Sequence, residues 1–376
     1  MQPPTLNLKP VDRTSSSSKR PARRPVPDAR QVDPINNVRP TWEYMASKDG
    51  RDRNLIIMLH GVGDTERPFF QLAQKWQLPG TCILSLRGFF QVPLMDFPSY
   101  SYLPISMTHY LSPDPPPIPT KEQLKALQEV TLPLLKNILR YLVRDSNPNP
   151  NRSGIESESE KGIGIGKDNT PVGCGCGWDP EEIHLFGWGE GGTIGLELGR
   201  SLALSSSSPL TSTSTTSSPT TKNQNGNGNG QEKEDKDRDS KRINRLGSVI
   251  SISGDLYSTP PVGAKDLGGE TPVLYFHRPR VKPSSSSPSS NSSNSNADLP
   301  SPSPSWLKRT FAHPQTITAK FSPVAAQQDE KGRDIRMPEG REEWEGVMRF
   351  WSEVLVRPGM EETSSSMAGE VYEVVR

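Results

Sequence analysis

The sequence is short of the residues that build a packed interior. Hydrophobic side chains make up 31% of its 376 residues and aromatic ones 7%, whereas it holds 38 prolines and 31 glycines. Segments this poor in apolar side chains cannot bury enough surface to offset the entropy lost on folding. We therefore expect one folded domain, smaller than the chain, set among disordered segments.

Neither a membrane span nor a secretory signal is visible. A membrane helix needs about 18 or more consecutive apolar residues, and no run of that length occurs. The first residues, Met-Gln-Pro-Pro-Thr, lack the apolar stretch of a signal peptide. We expect a protein that is not secreted and not stably inserted in a membrane, with the cytoplasm as its location and the nucleus as the alternative.

Charge and cysteine content exclude further classes of function. The 44 basic and 43 acidic side chains give a net charge of +1, which provides no bulk attraction for nucleic acid. Three cysteines, Cys82, Cys174 and Cys176, are too few for a disulfide framework or a zinc site. We therefore expect no nucleic-acid partner, no metal and no cofactor.

Low-complexity segments predict the domain boundaries. Ser, Pro, Asn, Gly and charged residues dominate an N-terminal tail and three internal stretches, which are 1–38, 147–173, 205–242 and 283–304. Together with a C-terminal tail, 357–376, they leave a single domain over 39–356, in which the three stretches are disordered surface insertions.

A basic cluster lies near the end of the first tail, Lys19-Arg20-Pro21-Ala22-Arg23-Arg24. Charge runs in Ser/Pro-rich tails are usually solvated. We expect the same here, and the alternative is a patch for nuclear import or for an acidic partner.

Short apolar runs alternate with amphipathic helices between these segments. Apolar patterning predicts strands at 55–59, 82–86, 183–186, 246–253, 271–277 and 316–321. Helices are predicted to start near Glu66 and to cover 121–144, 193–204, 306–311 and 341–356. Thr120 and Gln123 form a capping box before the second of these helices. This alternation predicts a mostly parallel twisted sheet with helices on both faces.

Two of the predicted strands run into glycine-rich turns that each start a helix. The strand at 55–59 is followed by His60-Gly61-Val62-Gly63-Asp64-Thr65, and the strand at 183–186 by Gly187-Trp188-Gly189-Glu190-Gly191-Gly192. A strand that ends in Gly-x-Ser-x-Gly and feeds a helix is a nucleophile elbow, where side chains at the glycine positions would collide with neighbouring elements. In the frame 187–191, glycine replaces the serine.

On these two stretches the sequence resembles the phospholipase/carboxylesterase family of α/β-hydrolases, which includes the acyl-protein thioesterases. Residues 59–65 are similar to the family's oxyanion loop and residues 184–192 to its elbow, with weaker likeness at 253–256 and 337–338. The resemblance covers most of 54–356 apart from the insertions. It implies an α/β-hydrolase fold and, for the family, hydrolysis of carboxylic esters and thioesters.

The resemblance also assigns roles to individual residues. The oxyanion hole would be formed by the backbone N–H groups of Val62 and Glu190. His60, followed by Gly61, would order the oxyanion loop, and the remaining motif glycines would be structural, namely Gly187, Gly191 and Gly192. Backbone donors survive side-chain replacement, so the hole is expected to persist.

All three positions of the catalytic triad depart from the family's pattern. Gly189 has no side-chain oxygen, so it cannot form an acyl-enzyme. The acid is expected after the strand ending at His277, but the chain continues there as Arg-Pro-Arg-Val-Lys-Pro. The base is expected before the last helix, and residues 314–376 contain no histidine. These departures predict a pseudoenzyme that keeps a pocket for an acyl or ester ligand or a protein partner.

An active esterase or thioesterase with a rearranged site is the alternative hypothesis. His277 is the histidine best placed to act as a displaced base, since it ends a strand on the same rim as the elbow. Glu190 could act as a carboxylate nucleophile or base, but its place at a helix start favours a dipole interaction. Asp64 and Asp255 are expected to be turn residues. The oligomeric state is left open.

Overall fold

A computed structural model of the protein describes residues 7–10, 23–106, 119–143, 175–207, 243–258, 267–277, 304–318, 337–338, 340–355 and 372–375. His109, the first insertion and most of the other two lie outside the described residues. The predicted domain limits therefore stay predictions.

A seven-stranded sheet forms the centre of the protein. In spatial order its strands are β10 (Pro314–Thr318), β9 (Val273–His277), β8 (Ser248–Ile252), β7 (Ile183–Trp188), β3 (Asn54–Leu59), β4 (Thr81–Leu86) and β2 (Trp42–Met45). All neighbouring strands are parallel except β2, which pairs antiparallel with β4. Two further pairs are antiparallel: β1 (Asn7–Pro10) with β11 (Tyr372–Val375), and β5 (Phe90–Gln91) with β6 (Tyr100–Ser101).

Helices pack against both faces of this sheet. They are α1 (Glu66–Trp76), α2 (Lys121–Ala126), α3 (Leu132–Val143), α4 (Glu190–Ser207), α5 (Pro304–Thr310) and α6 (Gly340–Val354). A π-helical turn, Leu127–Thr131, joins α2 to α3, and the predicted capping box of Thr120 and Gln123 is present. No helix in the described part of the chain has the length and apolar character needed to cross a membrane.

The core lies in two layers because the central strands are buried on both faces. Every residue of β3 and β4 is buried, as is typical of a parallel sheet covered on both sides. Leu55 and Ile57 of β3 enter the apolar cluster under α3 and α4. Ile56 and Met58 enter the cluster under α1 and α6. The alternation follows from the two-residue period of a strand.

This strand order, with one antiparallel edge strand and helices on both faces, is the α/β-hydrolase fold predicted from the sequence. The sixth predicted strand, 316–321, lies instead at Pro314–Thr318. Proline is compatible with it because β10 is an edge strand, where a missing N–H need not break the ladder. No sequence pattern predicted β2 or the β5–β6 hairpin.

Part of the segment assigned to the N-terminal tail contacts the domain through Arg24. Its guanidinium lies 4.3 Å from the centre of the Trp178 ring, pairs with Glu182 at 2.6 Å and donates to the Gly177 carbonyl. Its backbone N–H donates to Asp52 Oδ2 at 2.9 Å. The prediction that the basic cluster is solvated is thus wrong for Arg24, because its side chain is 18% exposed and contacts Trp178 and Glu182 of the domain.

Replacing Arg24 with alanine is expected to lower the free energy of unfolding by about 2–3 kcal/mol, since it removes the ion pair with the mostly buried Glu182 carboxylate and the contact with the Trp178 ring. Arg30→Ala is the matched control, because Arg30 also pairs with an aspartate but its side chain is 79% exposed, against 18% for Arg24. It should cost less than about 0.5 kcal/mol. Urea denaturation measures both, and equal losses would contradict the assignment.

Candidate functional site

The turn after β7 has the backbone of a nucleophile elbow. Gly189 adopts a left-handed conformation with φ of 55°, and α4 begins at the next residue. The Gly189 N–H donates to the Ile252 carbonyl of β8 at 2.8 Å, and its carbonyl accepts from the Thr193 N–H at 3.1 Å. The turn is therefore fixed between the neighbouring strand and the first turn of α4.

The flanking glycines lie where no side chain fits. A Cβ at Gly187 would lie less than 3.0 Å from the backbone of Gly191, and a Cβ at Gly191 equally close to the carbonyls of Leu59 and His60. At Gly192 a Cβ would lie 2.5 Å from Ser251 Oγ. Strand, turn, helix and oxyanion loop approach one another here as closely as an elbow requires.

Gly189 differs from the other three glycines. Among the described residues, no heavy atom lies within 4 Å of the place that its Cβ would occupy. A side chain at this tip would project into open space, as the nucleophile of an elbow does. Glycine also relieves the left-handed backbone of the cost of about 1–2 kcal/mol that a Cβ would add. The elbow thus keeps the shape of a nucleophile site and lacks the nucleophile.

His60 fixes the oxyanion loop from within the core. Its side chain is fully buried; Nε2 accepts from the Gly88 N–H at 2.8 Å, so Nδ1 carries the hydrogen that is donated to the Gly61 carbonyl at 2.7 Å. Burial lowers the pKa of His60 below its ordinary value, which keeps the ring neutral. Both ring nitrogens are occupied, so His60 is not available as a general base.

The two amides assigned to the oxyanion hole are open donors. Within the described residues, neither the Val62 N–H nor the Glu190 N–H has a hydrogen-bond acceptor. Val62 is 50% exposed. Gly61 packs so closely on the Trp188 ring that a Cβ there would lie 2.7 Å from it. The oxyanion loop is thereby held beside the end of β7.

The Glu190 side chain is buried and interacts with the base of the β5–β6 hairpin. Its two carboxyl oxygens each lie 2.9 Å from Ser101 Oγ, and Oε2 accepts from the Tyr102 N–H at 2.7 Å. Burial raises the pKa of Glu190 to about 7. This arrangement gives no support to Glu190 as a nucleophile at the elbow.

His277 is the last residue of β9 and is not brought to Gly189. Its Nε2 lies 3.1 Å from Thr318 Oγ1 on the edge strand β10, and its ring stacks on Tyr275. Strand β8 lies between β9 and β7, which puts roughly 10 Å between the ends of the two strands. The basic stretch after His277 lies outside the described residues.

The remaining candidates have structural partners. Asp64 accepts from the Thr65 N–H at 2.8 Å, and Asp255 accepts from the Tyr275 hydroxyl at 2.5 Å. His184, a histidine that was not a candidate, is buried near the start of β7, 2.9 Å from Ser248 Oγ, where burial lowers its pKa to about 3. The described residues contain no group of His, Cys, Asp and Glu able to hold a metal ion.

Ser253, the first residue of the weaker likeness at 253–256, also lies on this rim. It directly follows β8 with φ of 57°, and its N–H donates to the Phe276 carbonyl at 2.8 Å. Its buried hydroxyl has no hydrogen-bond partner in the described part of the chain. A serine and a glycine directly after a strand do not indicate, in the sequence alone, that the serine hydroxyl is unpaired.

The comparisons with curated proteins cover a short stretch of the chain. No protein-family model matches it. Over 65 residues, 17% of its length, it is 38% identical to an uncharacterized hydrolase of Mycosarcoma maydis and 37% identical to one of Schizosaccharomyces pombe. The match spans 25% and 27% of the length of these relatives.

Solved structures with a similar backbone include an esterase, PE8, and acyl-protein thioesterase 2 of Zea mays. Each is 13% identical, covers 84% of this chain and 99% of its own, and superposes with a TM-score of 0.41. The fold is shown by the strand order itself. The curated matches are to uncharacterized hydrolases, which agrees with the predicted resemblance to a hydrolase family.

Proposed function

We propose that this α/β-hydrolase-fold protein has lost ester and thioester hydrolysis and binds an acyl or ester ligand at the carboxyl ends of β3 and β7. One observation carries the proposal: at the tip of an intact elbow, Gly189 leaves open the space that a nucleophile would fill. Covalent catalysis of acyl transfer needs an oxygen or sulfur at that place. Backbone geometry alone cannot supply one.

The surroundings of Gly189 support the loss of the other triad members. No histidine occurs in 314–376, where the base would lie, and the stretch after His277 is basic. His277 itself is two strands away and paired with Thr318. A displaced base would have to lie within about 3 Å of the proton it removes.

The proposed acyl site has backbone groups that can bind an acyl oxygen. Among the described residues, the Val62 and Glu190 amides are donors without an acceptor, and the N-terminus of α4 favours negative charge. Trp188 stacks on Phe69 beside them, with ring centres 6.1 Å apart, which provides an apolar wall for an acyl chain. A carbonyl or carboxylate oxygen would accept from the two amides without any chemistry following.

Two measurements on the purified protein test the two halves of this proposal. Incubation with a fluorophosphonate should leave the intact mass unchanged, because no activated hydroxyl is available to form an adduct. Titration with octanoate should change the tryptophan fluorescence, because Trp188 borders the pocket. A stoichiometric adduct would contradict the loss of the nucleophile, and no octanoate binding by the folded protein would contradict the retained pocket.

A further inference from the structure

A chain of short oxygen contacts joins Glu190 to the base of the hairpin. Ser101 Oγ lies 2.6 Å from the Leu103 carbonyl oxygen and 2.9 Å from each carboxyl oxygen of Glu190. The Leu103 N–H also approaches Ser101 Oγ at 3.2 Å. All of these groups are buried, so water cannot supply the hydrogens that the contacts need.

The number of hydrogens decides the protonation state. Contact of the Leu103 oxygen with Ser101 Oγ needs one hydrogen, and contact of Ser101 Oγ with the Glu190 carboxyl needs a second. The serine hydroxyl supplies one hydrogen, and a carbonyl oxygen supplies none. An ionised Glu190 would therefore leave two oxygens in short contact with no hydrogen between them, a cost that a buried site does not tolerate.

We infer that Glu190 is held as a neutral carboxylic acid and acts as a proton-dependent clamp between the elbow helix and the β5–β6 hairpin. The carboxyl O–H donates to Ser101 Oγ, and the serine O–H donates to the Leu103 carbonyl. Glu190 Oε2 accepts from the Tyr102 N–H. Every hydrogen then has one acceptor. Glu190 also carries one of the two backbone N–H groups that have no acceptor among the described residues, so the protonation of its side chain governs how rigidly that donor is held.

Burial is the main physical cause that keeps the proton in place. It raises the pKa of Glu190 to about 7. The titratable groups around the clamp do not reverse this effect. Glu66 is already paired with Arg87, and burial lowers the pKa of His60. The others are Asp64, which accepts from Thr65, and the fully buried Tyr102, which donates to the Leu86 carbonyl.

The sign of the linkage follows from the direction of the shift. The folded-state pKa of Glu190 lies above its ordinary value of 4.5, so the folded protein binds the proton more tightly than the unfolded chain. The clamp's stabilisation is complete below pH 4.5 and is lost as the pH rises through about 7. Within that window the folding equilibrium constant should fall by up to about tenfold per pH unit from this group alone.

Glu190→Gln is the variant that tests the clamp. A glutamine amide donates to Ser101 through its NH₂ group and accepts from Tyr102 through its oxygen at any pH. Its urea midpoint between pH 5 and 8 should therefore lose the decline that the wild-type protein shows. Glu129→Gln, the same change at an exposed helical position, is the control and should keep the wild-type profile.

Infrared difference spectra supply a second readout whose main result comes from the wild-type protein. The wild-type protein at pH 6 should show the carbonyl stretch of a buried carboxylic acid, which should disappear around pH 7 and be absent from Glu190→Gln. A wild-type spectrum without an acid band at pH 6 would overturn the inference. Parallel stability profiles of wild type and Glu190→Gln would do the same. Neither outcome depends on whether the elbow hydrolyses esters.

Discussion

Gly191→Ala is expected to destabilise the domain by about 3 kcal/mol or more, enough to unfold much of a protein of ordinary stability. A Cβ at Gly191 would lie less than 3.0 Å from the carbonyl groups of Leu59 and His60. Both are main-chain atoms, one in the central strand β3 and the other in the oxyanion loop. Neither can move aside without disturbing the sheet or the buried ring of His60.

Gly189→Ala provides the matched comparison, because both glycines belong to the same turn. At Gly189 the new Cβ meets no atom of the described residues within 4 Å, so the left-handed backbone is what opposes it. The expected loss is about 1–2 kcal/mol. Chemical denaturation of the two variants measures the difference. Equal losses would show that the turn is not packed as the elbow requires.

Gly189→Ser is expected to restore no ester hydrolysis, although the serine has room and the backbone is set for it. In serine hydrolases, removal of the triad lowers kcat by about a million-fold, and most of that loss already occurs when one partner is missing. Within the described residues no histidine is placed to remove the proton of a serine at 189, since His60 is hydrogen-bonded through both ring nitrogens and His277 lies two strands away. We therefore expect turnover of a short-chain nitrophenyl ester to stay within about tenfold of the unmodified protein.

The activity of Gly189→Ser shows whether the protein lacks the nucleophile alone or the base and the acid as well. Substantial hydrolysis by Gly189→Ser would show that a general base still lies near the elbow. The proposed loss of the base would then be wrong. Combining the variant with His277→Ala would then identify that base. Under the present account, the single and double variants have the same rate.

The fold was predictable because its signals are local. Continuous apolar runs predicted β3 and β4, glycine-rich turns predicted the two junctions, and the Thr120–Gln123 capping box was found where expected. The edge strand β2 was not predicted. Its four residues are only partly buried, so they show neither a continuous apolar run nor a clear alternation.

The details of the site were less accessible because they depend on contacts between distant residues. The open space at Gly189 needs the surrounding loops to be placed before it can be recognised. Glu190 could be predicted to start a helix, but its partner Ser101 is 89 positions away. Likewise, Arg24 contacts Glu182 at a separation of 158 residues. No spacing in the sequence links these pairs.

The rate of nitrophenyl butyrate hydrolysis by the purified wild-type protein tests the central claim most directly. The proposed loss of the nucleophile, the base and the acid predicts a rate that does not exceed the rate in buffer. His277→Ala and Ser253→Ala should not change it. Protein-dependent turnover that is abolished by either substitution would contradict the account, because it would reveal a rearranged and working site on the same rim.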